Sequence, residues 1–489
     1  MTFTKLNQAA LAALPENVAV PSYDRHALKP GIMHIGVGNF HRAHQAVYLH
    51  ELFSLGEDHD WGLIGAGIKP YDAVMRERLR QQDWLSTIVE LDPNGFTAKI
   101  CGSMIDFVEV DPAAVVERLT SPDIRIVSLT ITEGGYFLDA RSGSFDATHP
   151  DIVHDINNPD APETVFGTLI AALKQRRAKN IVPFTIMSCD NLPENGIITR
   201  QAVLGLCGEM SDELADWIGD NVAFPNSMVD CITPATSDRE RAMVEQKFGI
   251  SDAVPVACEP FRQWVLEDKF TAGRPSLEKV GVEFVADVAP YELMKLRILN
   301  GGHAAIAYPA ALMGIEFVHD AMAEPLVSGF LTRLETTEII PTVPAVPGVD
   351  FLTYLDKVRE RFSNAAVADT IPRLCLDGSN RQPKFILPTI RENLAAGRTV
   401  NGLALEVALW CRYCAGTDDA GNDIVVADEK APRLRDHALR ARTNPAVFLE
   451  MSDIFGALGA NEVFAQAFSA ALRSLWKNGT KATLQAYLA

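Results

Sequence analysis

The chain has 489 residues, 47% hydrophobic and 22% charged. That suffices for two or three domains with a large buried core and excludes disorder as the general state. A net charge of -19 with pI near 5.0 argues against a nucleic-acid partner and against an anionic membrane surface, since both select clustered Lys and Arg.

Taken in chain order, the N-terminus lacks a signal-peptide pattern, because its short apolar run is interrupted by Pro15 and Glu16. No stretch approaches eighteen uninterrupted apolar residues, so no membrane span is expected. Residues 31–38 (GIMHIGVG) read as a strand ending in a Gly-rich turn, and HRAHQAVYLHELFSLG reads as the helix after it. Residues 61–67 (WGLIGAG) predict a second strand, followed by a charged helix over Tyr71 to Gln82. LSTIVELDPNGFTAKI predicts a hairpin, with Asn94-Gly95 between two β-rich runs. DIRIVSLTI and IVPFTIMSC are near-continuous apolar runs of the kind found in central parallel strands. Strands alternating with helices predict a parallel, helix-covered sheet.

The pattern changes near residue 286. Long helical stretches follow from Tyr291, first 291–314, then 320–340, with the Pro-rich connection PTVPAVPGVD after them. The expected division is residues 1–285, α/β, and residues 286–489, mainly α-helical. Eight cysteines scattered through so long a chain fit a reduced, cytoplasmic protein rather than a disulfide framework.

The first site signal is Gly36-Val37-Gly38-Asn39-Phe40-His41, between a strand and a helix. Gly36 permits a tight turn, and Gly38 allows the backbone to approach a pyrophosphate at the helix N-terminus. His41 stands where a third glycine is usual, so cofactor binding and a plain turn both remain open. An acid after the second strand would bind ribose hydroxyls and repel a 2′-phosphate. Asp72 is the candidate, with a helix cap as its alternative. Thr132 and Glu133, in TITEGGY, lie past another buried strand, where cofactors bind in such sheets, and two adjacent glycines beside a carboxylate equally fit an ordinary turn. Asn191, in SCDNLPENG, offers an amide donor for a developing alkoxide, or forms a turn.

In the second half, Lys295, Asn300 and His303 fall within KLRILNGGH. At about 100° per residue, His303 projects roughly 80° and Asn300 roughly 140° round from Lys295, so the three can line one side of an α-helix. The alternative is a Lys exposed at a helix edge and a core His. Cys411 and Cys414 have a CxxC spacing within a predicted helix, without a second ligand pair for zinc, and read as core thiols. No GxSxG elbow supports serine hydrolysis.

The blocks HIGVGNFHRAHQ, RIVSLTITEGGY, FTIMSCDNLPENG, FPNSMVDCITP, CEPFRQWVLEDKF, PYELMKLRILNGGH and DGSNRQPKF run in order over most of the chain. Together they resemble the mannitol dehydrogenase family, the polyol-specific long-chain dehydrogenases. The resemblance implies a Rossmann-type domain followed by a helical one, NAD as cofactor bound through Gly36, Gly38, Asn39, Phe40, Asp72, Thr132 and Glu133, and no metal. It implies oxidation of a polyol, D-mannitol foremost, to the 2-ketose, and the reverse. Lys295 is then the general base, Asn191 and Asn300 hold the reacting oxygen, and His303 positions substrate. Arg373, Asp230 and Lys384 become further substrate-pocket residues. The family signature, normally VDR, reads Val229-Asp230-Cys231 here, and Tyr71 is uncharged where a mannitol-type relative can carry a second acid, which implies incomplete selection against NADP. A monomer or weak homo-oligomer with a small-molecule substrate is expected. Within the family, the rivals are a fructuronate- or tagaturonate-type sugar-acid reductase and a D-arabinitol dehydrogenase. Outside it, the rival is a non-catalytic dinucleotide-binding sensor.

Overall fold

A computed structural model describes residues 3–139 and 143–489. The chain divides into two compact units, Met1–Ala289 and Pro290–Ala489.

The first unit is built on five strands: β1 (Pro30–Ile35), β2 (Gly62–Ala66), β3 (Met104–Phe107), β4 (Ile126–Leu129) and β5 (Thr185–Ser188). All pair in parallel, in the spatial order β3-β2-β1-β4-β5. Consecutive side chains of a strand face opposite ways, and these apolar runs feed two cores. Ile32, Leu63, Ile126 and Met187 join one cluster with Leu49, Leu52, Phe53 and Trp264. Met33, Ile35, Ile64, Val127, Leu129 and Ile186 join another with Val115, Leu119, Phe166, Leu169 and Leu206. A sheet covered on both faces explains why its strands read as unbroken apolar runs.

The expected hairpin forms, with Ser86–Glu90 antiparallel to Thr97–Cys101. Val256–Cys258 and Val18–Ala19 extend it as outer strands. A further sheet joins Ser227–Asp230, Gln263–Glu267 and Glu283–Val285; the sequence pattern had marked no strands there. The helix expected after Gly38 is two pieces, α1 (Asn39–Ala43) and α2 (Gln45–Ser54). They break at His44, whose φ of -119° and ψ of -92° lie outside helical values.

The second unit is helical, as its periodicity predicted. Its centre is Asn401–Cys414, buried on all sides from Gly402 to Cys414, as expected for a core helix apolar all round. The long C-terminal helix Glu462–Leu488 bends at Gly479, where φ is +80°. Two expected α-helices are interrupted by wider π-turns, at Lys295–Asn300 and Glu335–Ile339. No helix among the described residues is long and apolar enough to cross a membrane.

Candidate active site

The order 3-2-1-4-5 reverses direction between β1 and β4, and ligands of open α/β sheets bind beyond the strand ends at such a point. Gly36 follows β1 there, with φ +95°. A Cβ on it would lie 2.1 Å from Thr130 O, a backbone atom, so only glycine fits. Thr130 Oγ1 donates to Gly36 O at 2.7 Å. Around Gly38 the space is open, since a Cβ would meet only Gly36 O, at 3.9 Å. These two glycines have the properties the turn requires, one for tightness and one for approach.

The missing third glycine has a physical replacement. His41 is buried and stacks flat on His34 of β1, with ring centroids 3.4 Å apart at 11°. His34 hydrogen-bonds Ser128 Oγ at 2.8 Å and Thr130 Oγ1 at 2.9 Å, and Ser128 Oγ donates to Gln45 Oε1. Burial pushes His34 down to about 3 and holds His41 well below the ordinary imidazole value, so two neutral rings can lie face to face. Close helix–strand packing, elsewhere a glycine's contribution, is made here by imidazoles. The side chain of Asn39 is engaged within the protein: it donates to Thr236 Oγ1 at 2.9 Å and Pro234 O at 3.2 Å, and accepts from Arg42. Phe40 stacks on His44 at 4.8 Å.

Asp72 is the first residue of helix Asp72–Arg80, which follows β2. Its Oδ2 accepts from the N–H groups of Ile68 and Lys69, both at 3.1 Å. Burial raises its pKa, and the two N–H groups oppose that. A Cβ on Gly67 would lie 2.3 Å from Asp72 Cβ, so glycine lets the acid close onto the strand end. Lys69 forms an exposed pair with Asp151 at 3.8 Å.

Beyond β4, Thr132 has φ +63° and ψ 165°. For a β-branched residue that is a strained state costing ~1–3 kcal/mol, which persists only when neighbours over-determine it. The neighbour is Asp190, 8% exposed, just past β5. Its Oδ1 accepts from Thr132 N–H at 2.9 Å, and its Oδ2 from Ile131 N–H at 3.0 Å and Tyr136 O–H at 2.6 Å. Asn191 is next in the chain and exposed. Asn195 anchors the same turn by donating to Asp190 O at 3.0 Å and Ser227 O at 2.8 Å. Sequence reasoning passed over Asp190; its only signal was a carboxylate ending a buried strand. Asp230 ends strand Ser227–Asp230 and is buried. Cys231, in the place of the family arginine, lies within an apolar cluster beside Cys258. Its hydrogen bond with Cys258 and its burial hold the thiol well above its ordinary pKa.

In the second unit, Lys295 opens the π-turn and Asn300 closes it. The spacing of 100° per residue therefore does not apply to this segment, because i→i+5 bonding widens the turn. The expectation of three side chains on one α-helical face is corrected to a π-turn with an α-helix after it. Lys295 is 9% exposed, which removes the reading of a lysine at an exposed helix edge. Arg297, also buried, pins the segment by donating to Glu392 Oε2 at 2.8 Å and to Thr342 O at 2.5 Å. Asn300 is half-buried. His303 stacks on Phe362 at 4.2 Å. Gly302 faces the buried Glu335, whose Oε1 would be 3.4 Å from a Cβ there. Burial raises the Glu335 carboxyl well above its ordinary value. Arg373 is half exposed and chelated by Asp369, with Nε to Oδ1 at 2.5 Å. Lys384 is exposed on helix Gly378–Phe385. Cys411 and Cys414 are buried thiols of a core helix. Among the described residues no three His, Cys, Asp or Glu side chains gather as metal ligands do.

A parallel sheet of this order, with a glycine turn at its switch point, defines the first unit as a Rossmann-type dinucleotide-binding domain. The family model described as the mannitol dehydrogenase Rossmann domain matches residues 30–279, and that of the mannitol dehydrogenase C-terminal domain matches 287–476. The chain belongs to the mannitol dehydrogenase family. It is 57% identical to a mannitol 2-dehydrogenase of Cereibacter sphaeroides, over 97% of this chain and 100% of the relative. It is similar to the solved Pseudomonas fluorescens mannitol 2-dehydrogenase in ternary complex with NAD and D-mannitol, at 44% identity and TM-score 0.87, covering 99% of each chain. A D-sorbitol dehydrogenase in substrate-free form is 35% identical with TM-score 0.91, covering 98% of this chain and 100% of that one.

Proposed function

We propose that this protein is an NAD-dependent polyol dehydrogenase that interconverts D-mannitol and D-fructose, with Lys295 as general base. The observation that carries the catalytic assignment is a lysine buried to 9% exposure in a π-turn with Asn300 at its other end. π-turns occur frequently at functional sites, and burial disfavours a charged ammonium. The first unit fits the cofactor: Gly36 admits no side chain, Gly38 leaves open space, and Asp72 offers a carboxylate beyond β2. NAD, when bound there, would accept the hydride from the carbinol carbon. Thr132, Glu133 and the Asn39–Phe40 backbone would complete the cradle.

The protein's own part is to move a proton and steady an oxygen. A neutral Lys295 Nζ takes the proton of the reacting hydroxyl. The side-chain amides of Asn191 and Asn300 donate to that oxygen as its charge grows, work that a metal performs in other alcohol dehydrogenases. His303, its ring steadied by Phe362, orients the hydroxyl. Asp230, Arg373 and Lys384 bind the remaining hydroxyls, and the Asp369 partner fixes the direction of the Arg373 guanidinium.

We place the protein in the cytoplasm as a monomer or weak homo-oligomer. Support comes from eight buried free thiols and from large exposed apolar side chains that are few and scattered in the chain, such as Leu55, Tyr71, Val182 and Val425. The test is a panel of D-mannitol, D-sorbitol, D-arabinitol and fructuronate with NAD and NADP. Mannitol with NAD should give the highest kcat/KM; a clear preference for fructuronate would replace the polyol reading with that of a sugar-acid reductase.

A further inference from the structure

The carboxylate of Asp190 bridges the ends of two neighbouring strands. From its place after β5 it takes both successive N–H groups of the loop after β4, Ile131 at 3.0 Å and Thr132 at 2.9 Å. It also takes the Tyr136 O–H at 2.6 Å, from the short helical turn Glu133–Tyr136 that ends the same loop. Tyr136 is fully buried and also contacts Ser188 Oγ, the last residue of β5, at 2.6 Å. The loop so gripped contains Thr132 at φ +63°, a state that a threonine does not hold unaided. The gripping residue is the chain neighbour of Asn191.

We infer that Asp190 is a positioning residue: its buried carboxylate locks the Ile131–Glu133 loop to the turn carrying Asn191, so that cofactor loop and alkoxide-holding amide form one rigid piece. This rests on the roles proposed above for Thr132, Glu133 and Asn191. Three donors converge on two oxygens, and a carboxylate accepts them all because neither of its oxygens carries a proton that must find a partner of its own. In Asp190→Asn, the amide nitrogen would face at least one backbone N–H whichever way it points. One buried donor is then orphaned, and Thr132 is free to relax.

The test is a double-mutant cycle of Asp190→Asn and Thr132→Gly. NAD affinity is read by fluorescence titration without turnover, with kcat and KM for mannitol measured alongside. Asp190→Asn should weaken NAD binding and lower kcat by roughly 10- to 100-fold, as release of the strained Thr132 backbone from its clamp implies, with KM for mannitol little changed. In the Thr132→Gly background the same substitution should cost under about fivefold, because glycine adopts positive φ without a clamp. An equal cost in both backgrounds, or an unchanged NAD affinity in Asp190→Asn, would overturn the inference. If Asp190→Asn does not fold, Tyr136→Phe decides. It removes one of the three donors and should weaken NAD binding severalfold, less so beside Thr132→Gly; no change in affinity would count against the clamp. Failure of the catalytic reading is distinguishable: Lys295 and Asn191 variants would then retain turnover, while the coupling of Asp190 to Thr132 in NAD affinity would persist.

Discussion

The two regions that carry the candidate residues are held in shape by different means. Beyond β1, β2, β4 and β5, positions are set by backbone geometry: Gly36 at φ +95°, Thr132 at φ +63°, and carboxylates of Asp72 and Asp190 that collect main-chain N–H groups. In the second unit the device is a change of helical register, a π-turn from Lys295 to Asn300 held by the Arg297–Glu392 pair. The first arrangement suits a cofactor recognised through main-chain atoms. The second suits a reacting group that must be buried and aimed, since widening one turn redirects side chains without breaking the helix.

The largest expected effect short of the base itself comes from filling the glycine turn. In Gly36→Ala the new Cβ would meet Thr130 O at 2.1 Å, so the turn must move. NAD affinity should fall by about 100-fold or more, equivalent to ~2.7 kcal/mol, by calorimetric titration. Wild-type affinity in this variant would mean that the cofactor does not use the turn.

A smaller effect should separate the regions by pH. His34, pushed down to about 3 by burial, binds its proton more readily in the unfolded chain, where its value is ~6.5. The stability that neutral His34 carries is therefore full above pH ~6.5 and is lost as pH falls from there toward 3, reaching ~2 kcal/mol at pH 5. Hydrogen-exchange protection of Pro30–Ile35 should drop between pH 7 and pH 5, and equal protection at both would contradict the neutral stack. The second unit's Glu335 and Glu406, the latter raised to about 8, favour the protonated form. Their environment loosens in the opposite direction, as pH rises.

Arg297→Met should loosen the π-turn alone. Glu392 is half exposed and can rehydrate, so the stability cost is modest, ~1–2 kcal/mol. Polyol kcat/KM should fall about tenfold while NAD affinity stays put, since the cofactor's proposed contacts lie in the other unit; equal losses in both would undo the separation. Least of all, Asp72→Ser should shift the NAD-to-NADP ratio of kcat/KM by about tenfold or less, given Tyr71 and Lys69 beside it. An unchanged ratio would remove Asp72 from ribose recognition.

What the sequence disclosed follows the same division. The parallel strands, the hairpin at Asn94-Gly95 and the turn at Gly36 were legible because short-range patterns specify them. The break at His44 was not, because the partners at that point are distant in sequence: His44 Nε2 meets Gln263 O at 2.9 Å and His41 stacks on His34. The π-turn was illegible for a similar reason: KLRILN has the composition of an α-helix, and the partners of its Arg297, Thr342 and Glu392, are distant in sequence. Asp190 was hidden because a carboxylate beside a turn is ordinary in sequence, and its three donors come from over fifty residues away. Cys231 was legible as a departure from the family signature, whereas its burial beside Cys258 needed the fold.

The pH profile of kcat/KM for mannitol, compared between the wild type and Lys295→Ala with NAD saturating, tests the general base most directly. The wild-type rate should rise with pH as Lys295 loses its proton. In the variant that rise should be absent and the rate lower by ~10²–10⁴-fold, with NAD affinity nearly intact and partial recovery on adding primary amines. A variant within a few-fold of wild type, with the same pH dependence, would contradict the assignment.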